Sequence, residues 1–200
     1  MEFRPVIFLN GPPRCGKDTL AQHIAETIPG FKVVKFAKIL KERTHALYGK
    51  HRYVHDAFED TKDMPHADFL GLTPREAYIA VSENLMKPIH GKAVWGKMLL
   101  NEMKAEPNTT KAFIVSDSGF SHEAFPIIDH FGDRNCRLIR IRAEARGCSF
   151  EKDSRSYIQL PIKTLDLPND QDQEHFLILG HHIIREMLDI IQEEFAYAHS

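Results

Sequence analysis

The sequence predicts a three-layer α/β fold, with a central parallel sheet and helices on both faces. Three observations carry this expectation. Residues 5–10, PVIFLN, form a short, continuously apolar run ending in a turn signal, the pattern of a parallel strand buried on both faces. The glycine-bearing stretch GPPRCGKDTL follows at once and leads into helical spacing. Beyond it, β-type apolar runs alternate with amphipathic helical segments, and such alternation closes into a parallel sheet.

The elements follow in order. Residues 5–10 read as the first and central strand. Leu20, Ile24 and Ile28 lie on one stripe of a helix over 16–28, which Pro29-Gly30 stops. Residues 31–36, FKVVKF, read as a second strand, and 37–48 as a helix closed by Gly49. The polar stretch 51–72 reads as loop with a short helix. Thr73 can cap a helix that starts at Pro74, and Glu76 completes a capping box. That helix is expected to end near Met86, before Pro88. A helix over 92–104, a strand over 111–116, a helix over 122–131 and a strand over 137–141 come next. A polar stretch of 142–155 without helical or strand periodicity has the character of a mobile lid, and a strand over 162–167 follows. Phe176, Leu179, Ile183, Met187 and Ile191 make a final amphipathic helix over 173–195, whose length would suit a homodimer contact.

Composition bounds the function. A chain of 200 residues, 42% hydrophobic, can bury one sizeable core, and no linker composition marks a second domain. One domain is expected over 1–200, with a helical acceptor-binding insertion over about 50–105 and the lid over about 142–158. The net charge of −2 gives no overall basic footprint, which argues against tight, sequence-blind nucleic-acid binding. The three cysteines, Cys15, Cys136 and Cys148, lack metal-ligand spacing and suit free thiols in a reducing, cytoplasmic compartment. No apolar stretch approaches the ~20 residues of a membrane span, so no membrane partner is expected. The histidine pairs His51/His55 and His181/His182 lack the further ligands a tetrahedral zinc site needs.

Residues 11–17 match G-x-x-x-x-G-K, with Asp18 where serine or threonine is usual and Thr19 one place late. Between a strand and a helix, this pattern is a phosphate-binding loop: successive backbone N–H groups and the helix N-terminus point at a polyphosphate. The fold class sharpens accordingly to a P-loop NTPase fold. Gly11, Pro12, Pro13, Arg14, Cys15, Gly16, Lys17, Asp18 and Thr19 are the candidate ATP-binding residues, with Lys17 reaching the β- and γ-phosphates. Asp18 and Thr19 are the candidate Mg2+ ligands. Cys15 reads as a small loop residue rather than a nucleophile, although a helix N-terminus would lower its pKa.

Together with GKDT after a central strand, the segments LTPREAYIAVSEN, GKAVWGKMLL and FIVSDSGFSHEA resemble, in order, the bacteriophage deoxynucleoside monophosphate kinases. The resemblance runs from the first strand to the lid, and only the loop is sharp. It implies ATP-dependent phosphoryl transfer to a deoxynucleoside monophosphate, in the host cytoplasm if the chain is phage-encoded. It also implies that Arg75 holds the acceptor's phosphate and that Asp117 faces the acceptor at a strand tip. One departure stands out. Where those kinases tend to read D-x-R-F, this chain has Asp117-Ser118-Gly119-Phe120, so an arginine is missing. A related phage group phosphorylates the hydroxymethyl group of 5-hydroxymethyluracil in DNA, and a hydroxyl acceptor would suit a site without a full phosphate clamp. A nucleotide-binding regulator without transfer activity is the third alternative.

The candidate catalytic residues are therefore Lys17, Asp18, Asp117, Arg146 and Arg155, the two arginines closing from the lid over the γ-phosphate. Arg75, Asp117 and Trp95 are the candidate substrate-binding residues. Each has a structural alternative. Arg75 sits at a helix N-terminus, where a cation is disfavoured unless an anion joins it. Asp117 could cap the next helix. Arg146 and Arg155 could be plain surface charge. Trp95 could be core rather than a stacking platform.

Overall fold

The computed structural model describes residues 3–151 and 153–198. Five strands, β1 (Val6–Asn10), β2 (Phe31–Val34), β3 (Ala112–Val115), β4 (Cys136–Arg142) and β5 (Lys163–Pro168), form one parallel sheet in the order β2-β3-β1-β4-β5. β1 is central, as its uninterrupted apolar run predicts: Phe8 is in register with Val115 on one side and Leu138 on the other. This order puts the tips of β3 and β4 on either side of the loop leaving β1. Strand order reverses there, where a parallel sheet leaves its binding crevice.

The period of two along β1 splits the core. Val6 and Phe8 face a layer with Trp95, Leu99, Met103, Phe113 and Leu138, built on α2 (Phe36–Leu47), α5 (Val94–Ala105) and α6 (Ser121–Phe131). Ile7 and Leu9 face the other layer, where α1 (Lys17–Thr27) and the last helix, Gln173–Ala198, contribute Leu20, Ile24, Phe176 and Ile184. Helices thus cover both faces.

Residues 50–105, the expected insertion, run from the end of α2 through α5. Their first α-helix, α3 (Pro74–Ile79), begins with the expected capping box, Thr73 accepting from the Glu76 N–H while Glu76 accepts from the Thr73 N–H. The expected end before Pro88 is wrong. The helix passes through a π-helical segment, Ala80–Met86, into α4 (Lys87–His90) and stops at Gly91, whose φ of 83° is left-handed. Pro88 has no N–H to donate, and it follows directly on the wide π-helical turn, in which the Lys87 N–H reaches back to the Ser82 carbonyl. A small separate core of Phe58, Phe69 and Ala77 supports the insertion, with the buried His45 ring 2.9 Å from the Tyr78 hydroxyl. Phe36, expected at the end of the second strand, is instead the first residue of α2.

Trp95 corrects a second expectation. It is 2% exposed and its indole N–H donates to Ser82 Oγ at 2.9 Å, so it packs the core and satisfies its one polar group there rather than facing a substrate. Its neighbour Gly96 lets α5 approach α6, since a Cβ on it would collide with the backbone oxygen of Glu123. In an exposed helix, glycine-to-alanine would gain about 1 kcal/mol of propensity. Here Gly96→Ala is expected to destabilise by ~1–3 kcal/mol through overpacking, read as a lower urea midpoint at unchanged slope.

Candidate nucleotide-binding site

The loop from Gly11 to Gly16 is built for close approach. A Cβ on Gly11 would stand 2.6 Å from Cys15 Sγ and 2.9 Å from the Ile141 carbonyl oxygen, so only glycine lets the loop lie against β4. Arg14 and Gly16 take left-handed φ values of 63° and 95°, which turns successive N–H groups toward one concave side. No side chain among the described residues accepts from the opening N–H groups of α1; Asp18 in its first turn is the nearby carboxylate, and it is bonded to Ser116 and Lys35 instead. The Lys17 ammonium folds back over the loop, donating to the Gly11 and Pro12 carbonyls at 2.7 Å each.

Cys15 is fully buried, and burial pushes its thiol above the usual range despite the opposing pull of Lys17. The expected lowering by the helix N-terminus is overturned because desolvation outweighs it.

Asp18 and Thr19 both face solvent at the start of α1. The Asp18 carboxylate accepts from Ser116 Oγ at 2.7 Å and pairs with Lys35 Nζ at 2.7 Å, joining α1 to the residues just beyond β2 and β3. Partial burial works against its charge, but Lys35 and Ser116 prevail and hold its carboxyl below the usual range. Asp117, beside Ser116, spends both carboxylate oxygens on α2: Oδ1 accepts from the Phe36 N–H at 2.9 Å and Oδ2 from the Ala37 N–H at 2.7 Å. It caps α2 across the sheet and not the helix that follows it in sequence. This explains why α2 starts at Phe36. Asp117 therefore positions the strand tip against α2, and its lone pairs toward an acceptor are fewer than the sequence implies.

The arginines separate. Arg75 is exposed at the start of α3, with Nε donating to Asp63 Oδ1 at 2.6 Å. Arg155 donates to Asp153 at 2.8 and 2.5 Å and lies within electrostatic reach of Asp117, Cys15 and Arg75. Arg146 lies on the opposite flank, donating to Asn169 Oδ1 at 3.0 Å, while Asn169 Nδ2 donates to the Cys15 carbonyl at 3.0 Å. The two lid arginines expected to act together therefore reach the loop from different sides.

Several residues escaped the sequence reading. Asn10, 1% exposed, donates to the Ser118 carbonyl at 2.7 Å and the Ser156 carbonyl at 3.2 Å, and accepts from the Ile158 N–H at 3.1 Å. One side chain thus fixes the end of β1, the DSGF turn and the segment returning through Ser156 and Ile158. Lys35, Ser116, Asp153 and Asn169 complete the surroundings, and nothing in their local sequence marks them. Glu123, in the first turn of α6, is 6% exposed, and burial, helped by the Asp117 charge, pushes its carboxyl up to about 8.

No protein-family model matches the chain, and a comparison with curated proteins finds no match. Solved structures do match. The fold is similar to dephospho-CoA kinase from Campylobacter jejuni, with TM-score 0.50 and 16% identity over 91% of this chain and 96% of that one. It is also similar to TT1252 from Thermus thermophilus, with TM-score 0.51 and 15% identity over 94% and 99%. A gluconokinase from Sinorhizobium meliloti aligns over 98% and 99% with 11% identity, at a TM-score of 0.49. At these identities the first two likenesses show the fold alone, a five-stranded parallel sheet flanked by helices. Among the described residues no helix is long and apolar enough to cross a membrane.

Glu123 gives the site a pH signature. Its carboxyl binds a proton more tightly folded, at about 8, than the ordinary 4.5, so its contribution to stability is full below about 4.5 and lost as pH rises through about 8. Unfolding titrations at pH 5, 6, 7 and 8 should show Glu123→Gln gaining stability relative to the native chain as pH rises. Parallel pH profiles would place the carboxyl in ordinary surroundings.

Proposed function

We propose that the chain is an ATP-dependent phosphotransferase of the nucleotide kinase type, moving the γ-phosphate of ATP to a deoxynucleoside monophosphate. The observation that supports it most is the uncapped start of α1 behind a nest-forming loop at the tip of the central strand, with Lys17 over it and arginines on both flanks. Among the described residues no side chain accepts from those N–H groups, and a polyphosphate would.

The division of labour follows from charge. The loop amides and Lys17 would bind the β- and γ-phosphates. Arg146 on one flank and Arg155 on the other would counter the charge that spreads over the transferred group's equatorial oxygens. Guanidinium suits this because its fork matches two phosphate oxygens at once. Asp18, its carboxylate ionised, solvent-facing and next to Lys17, fits Mg2+, a hard cation usually held by one or two carboxylates together with substrate phosphates. Thr19, exposed beside it, would add a hydroxyl. Bound Mg2+ would supply charge neutralisation at the phosphates. Lys35 must release Asp18 for this, and Ser116 keeps the carboxylate aimed when it does. Asp117 acts by fixing the β3 tip to α2, which leaves alignment rather than proton abstraction as the main contribution of this edge.

An acceptor screen tests the reading. With Mg2+ and ATP under one ADP-release readout, at least one deoxynucleoside monophosphate should be phosphorylated. Label entering only 5-hydroxymethyluracil DNA would move the assignment to a base kinase acting on a polymer. ATP binding without transfer to any acceptor would make the chain a nucleotide-dependent regulator. Lys17→Ala should lower transfer by about 100- to 1,000-fold, the scale of losing one preorganised charge donor. Its thermal stability should stay within ~0.5 kcal/mol, because the ammonium meets loop carbonyls and not the core.

A further inference from the structure

We infer that Cys15 and Cys148 are a redox pair, which a peroxide joins as a reversible disulfide between the loop before α1 and the turn after β4. The effect of that bond on nucleotide rests on the phosphotransferase reading; the bond itself does not.

Both thiols are free in this structure and belong to one apolar layer, Cys15 within it and Cys148 packed against it. A single side chain stitches their segments together. Asn169, 4% exposed, donates to the Cys15 carbonyl at 3.0 Å and accepts from Arg146 at 3.0 Å, while its own N–H donates to the Arg142 carbonyl at 2.6 Å. Arg146 ends a short 3-10 turn, Glu144–Arg146, and Gly147, with a left-handed φ of 71°, reverses the chain. The Cys148 N–H then returns to the carbonyl of Ala143 at 3.1 Å, and Ala143 lies in the same apolar layer as Cys15. The Cys15 sulfur is turned the same way. The place of a Cβ on Gly11 is 2.6 Å from Cys15 Sγ and 2.9 Å from the Ile141 carbonyl oxygen, so the sulfur lies against the end of β4, two residues before Ala143. The two thiols are within electrostatic reach of each other. Cys136 is no competitor: it packs into the opposite layer, and burial pushes its thiol up to about 12.

Exposure divides the roles. Cys148 is partly exposed and meets the oxidant, whereas Cys15 is fully buried and kept protonated by that burial. Hydrogen peroxide oxidises Cys148 to a sulfenic acid: the O–O bond breaks, one oxygen goes to sulfur, and the other leaves as water with the thiol proton. The Cys15 sulfur then attacks the Cys148 sulfur, the S–O bond breaks, and the departing hydroxide takes the Cys15 proton as a second water. Two thiols and one peroxide thus give one disulfide and two waters. Lys17 Nζ, 3.6 Å from Cys15 Sγ, steadies the sulfur as it loses its proton. An S–S bond holds its sulfurs at about 2 Å, so closing it draws Cys15 from its place under Gly11. The N–H groups of Cys15 and Gly16 move with it, and the proposed phosphate nest loses its alignment.

Peptide mapping and MgATP calorimetry on the full chain, before peroxide, after it and after dithiothreitol, test the pair. The oxidised chain should be lighter by two hydrogens, with the Cys15 and Cys148 fragments joined, and its MgATP binding should be lost and then return with the reductant. Cys136→Ser should behave as the native chain does. Cys148→Ser should keep its MgATP binding through the peroxide. A Cys15 fragment left unjoined, one joined to Cys136 or only to a second copy of the chain, or a joined chain with unchanged MgATP affinity would overturn the inference. So would loss of MgATP binding in oxidised Cys148→Ser, which would trace the effect to Cys15 alone. A reduced chain that binds no MgATP would instead sink the nucleotide reading, while the joined fragments would still uphold the disulfide.

Discussion

The proposed phosphate site depends on a helix start whose N–H groups no side chain among the described residues accepts. The first N–H groups of α1 stand at the tip of the most deeply buried strand, and no side chain at Gly16 accepts from them. A domain normally satisfies such amides with a capping hydroxyl or carboxylate. Here the preceding loop is folded so that its own amides join them, and the nearest carboxylate, Asp18, is drawn aside by Lys35 and Ser116. On the proposed reading, the fold thus preserves a site of positive potential for an anion to complete.

Around that site the structure spends its polar side chains on alignment. Asn10 holds three backbone segments with one amide group, Asp117 caps α2 from another strand, and Asn169 ties the β5 end to the loop. Each is a hydrogen bond between segments far apart in the chain, worth about 1 kcal/mol in stability but decisive for geometry. Phosphoryl transfer asks for that kind of contribution, since its barrier is lowered by placement and charge. The two lid arginines fit the same logic from opposite flanks, one anchored through Asn169 and one resting on Gly119.

Local physics made much of this legible. The apolar run of β1 announced a central strand because only burial on both faces permits such a run, and the capping box at Thr73 announced α3 because its bonds span three residues. The reading failed where distant parts decided the outcome. Pro88 looked like a stop because proline removes an N–H, but the helix continues through a wide π-helical turn that Pro88 directly follows. Trp95 read more readily as core than as a stacking platform, and Ser82, thirteen residues away, settled it by accepting its N–H.

The sequence by itself determined the order of strands and helices, the glycine-lysine loop after β1 and the identity of the charges near it, since these follow from periodicity, turn chemistry and a motif contained in ten residues. Only the tertiary structure decided which charges meet. The missing arginine in DSGF reads as a gap along the chain, yet in space the stem of Arg155, thirty-six residues later, lies over that glycine. Parallel strands are joined by long crossovers, so residues at neighbouring strand tips are remote in sequence, and no local pattern records their approach.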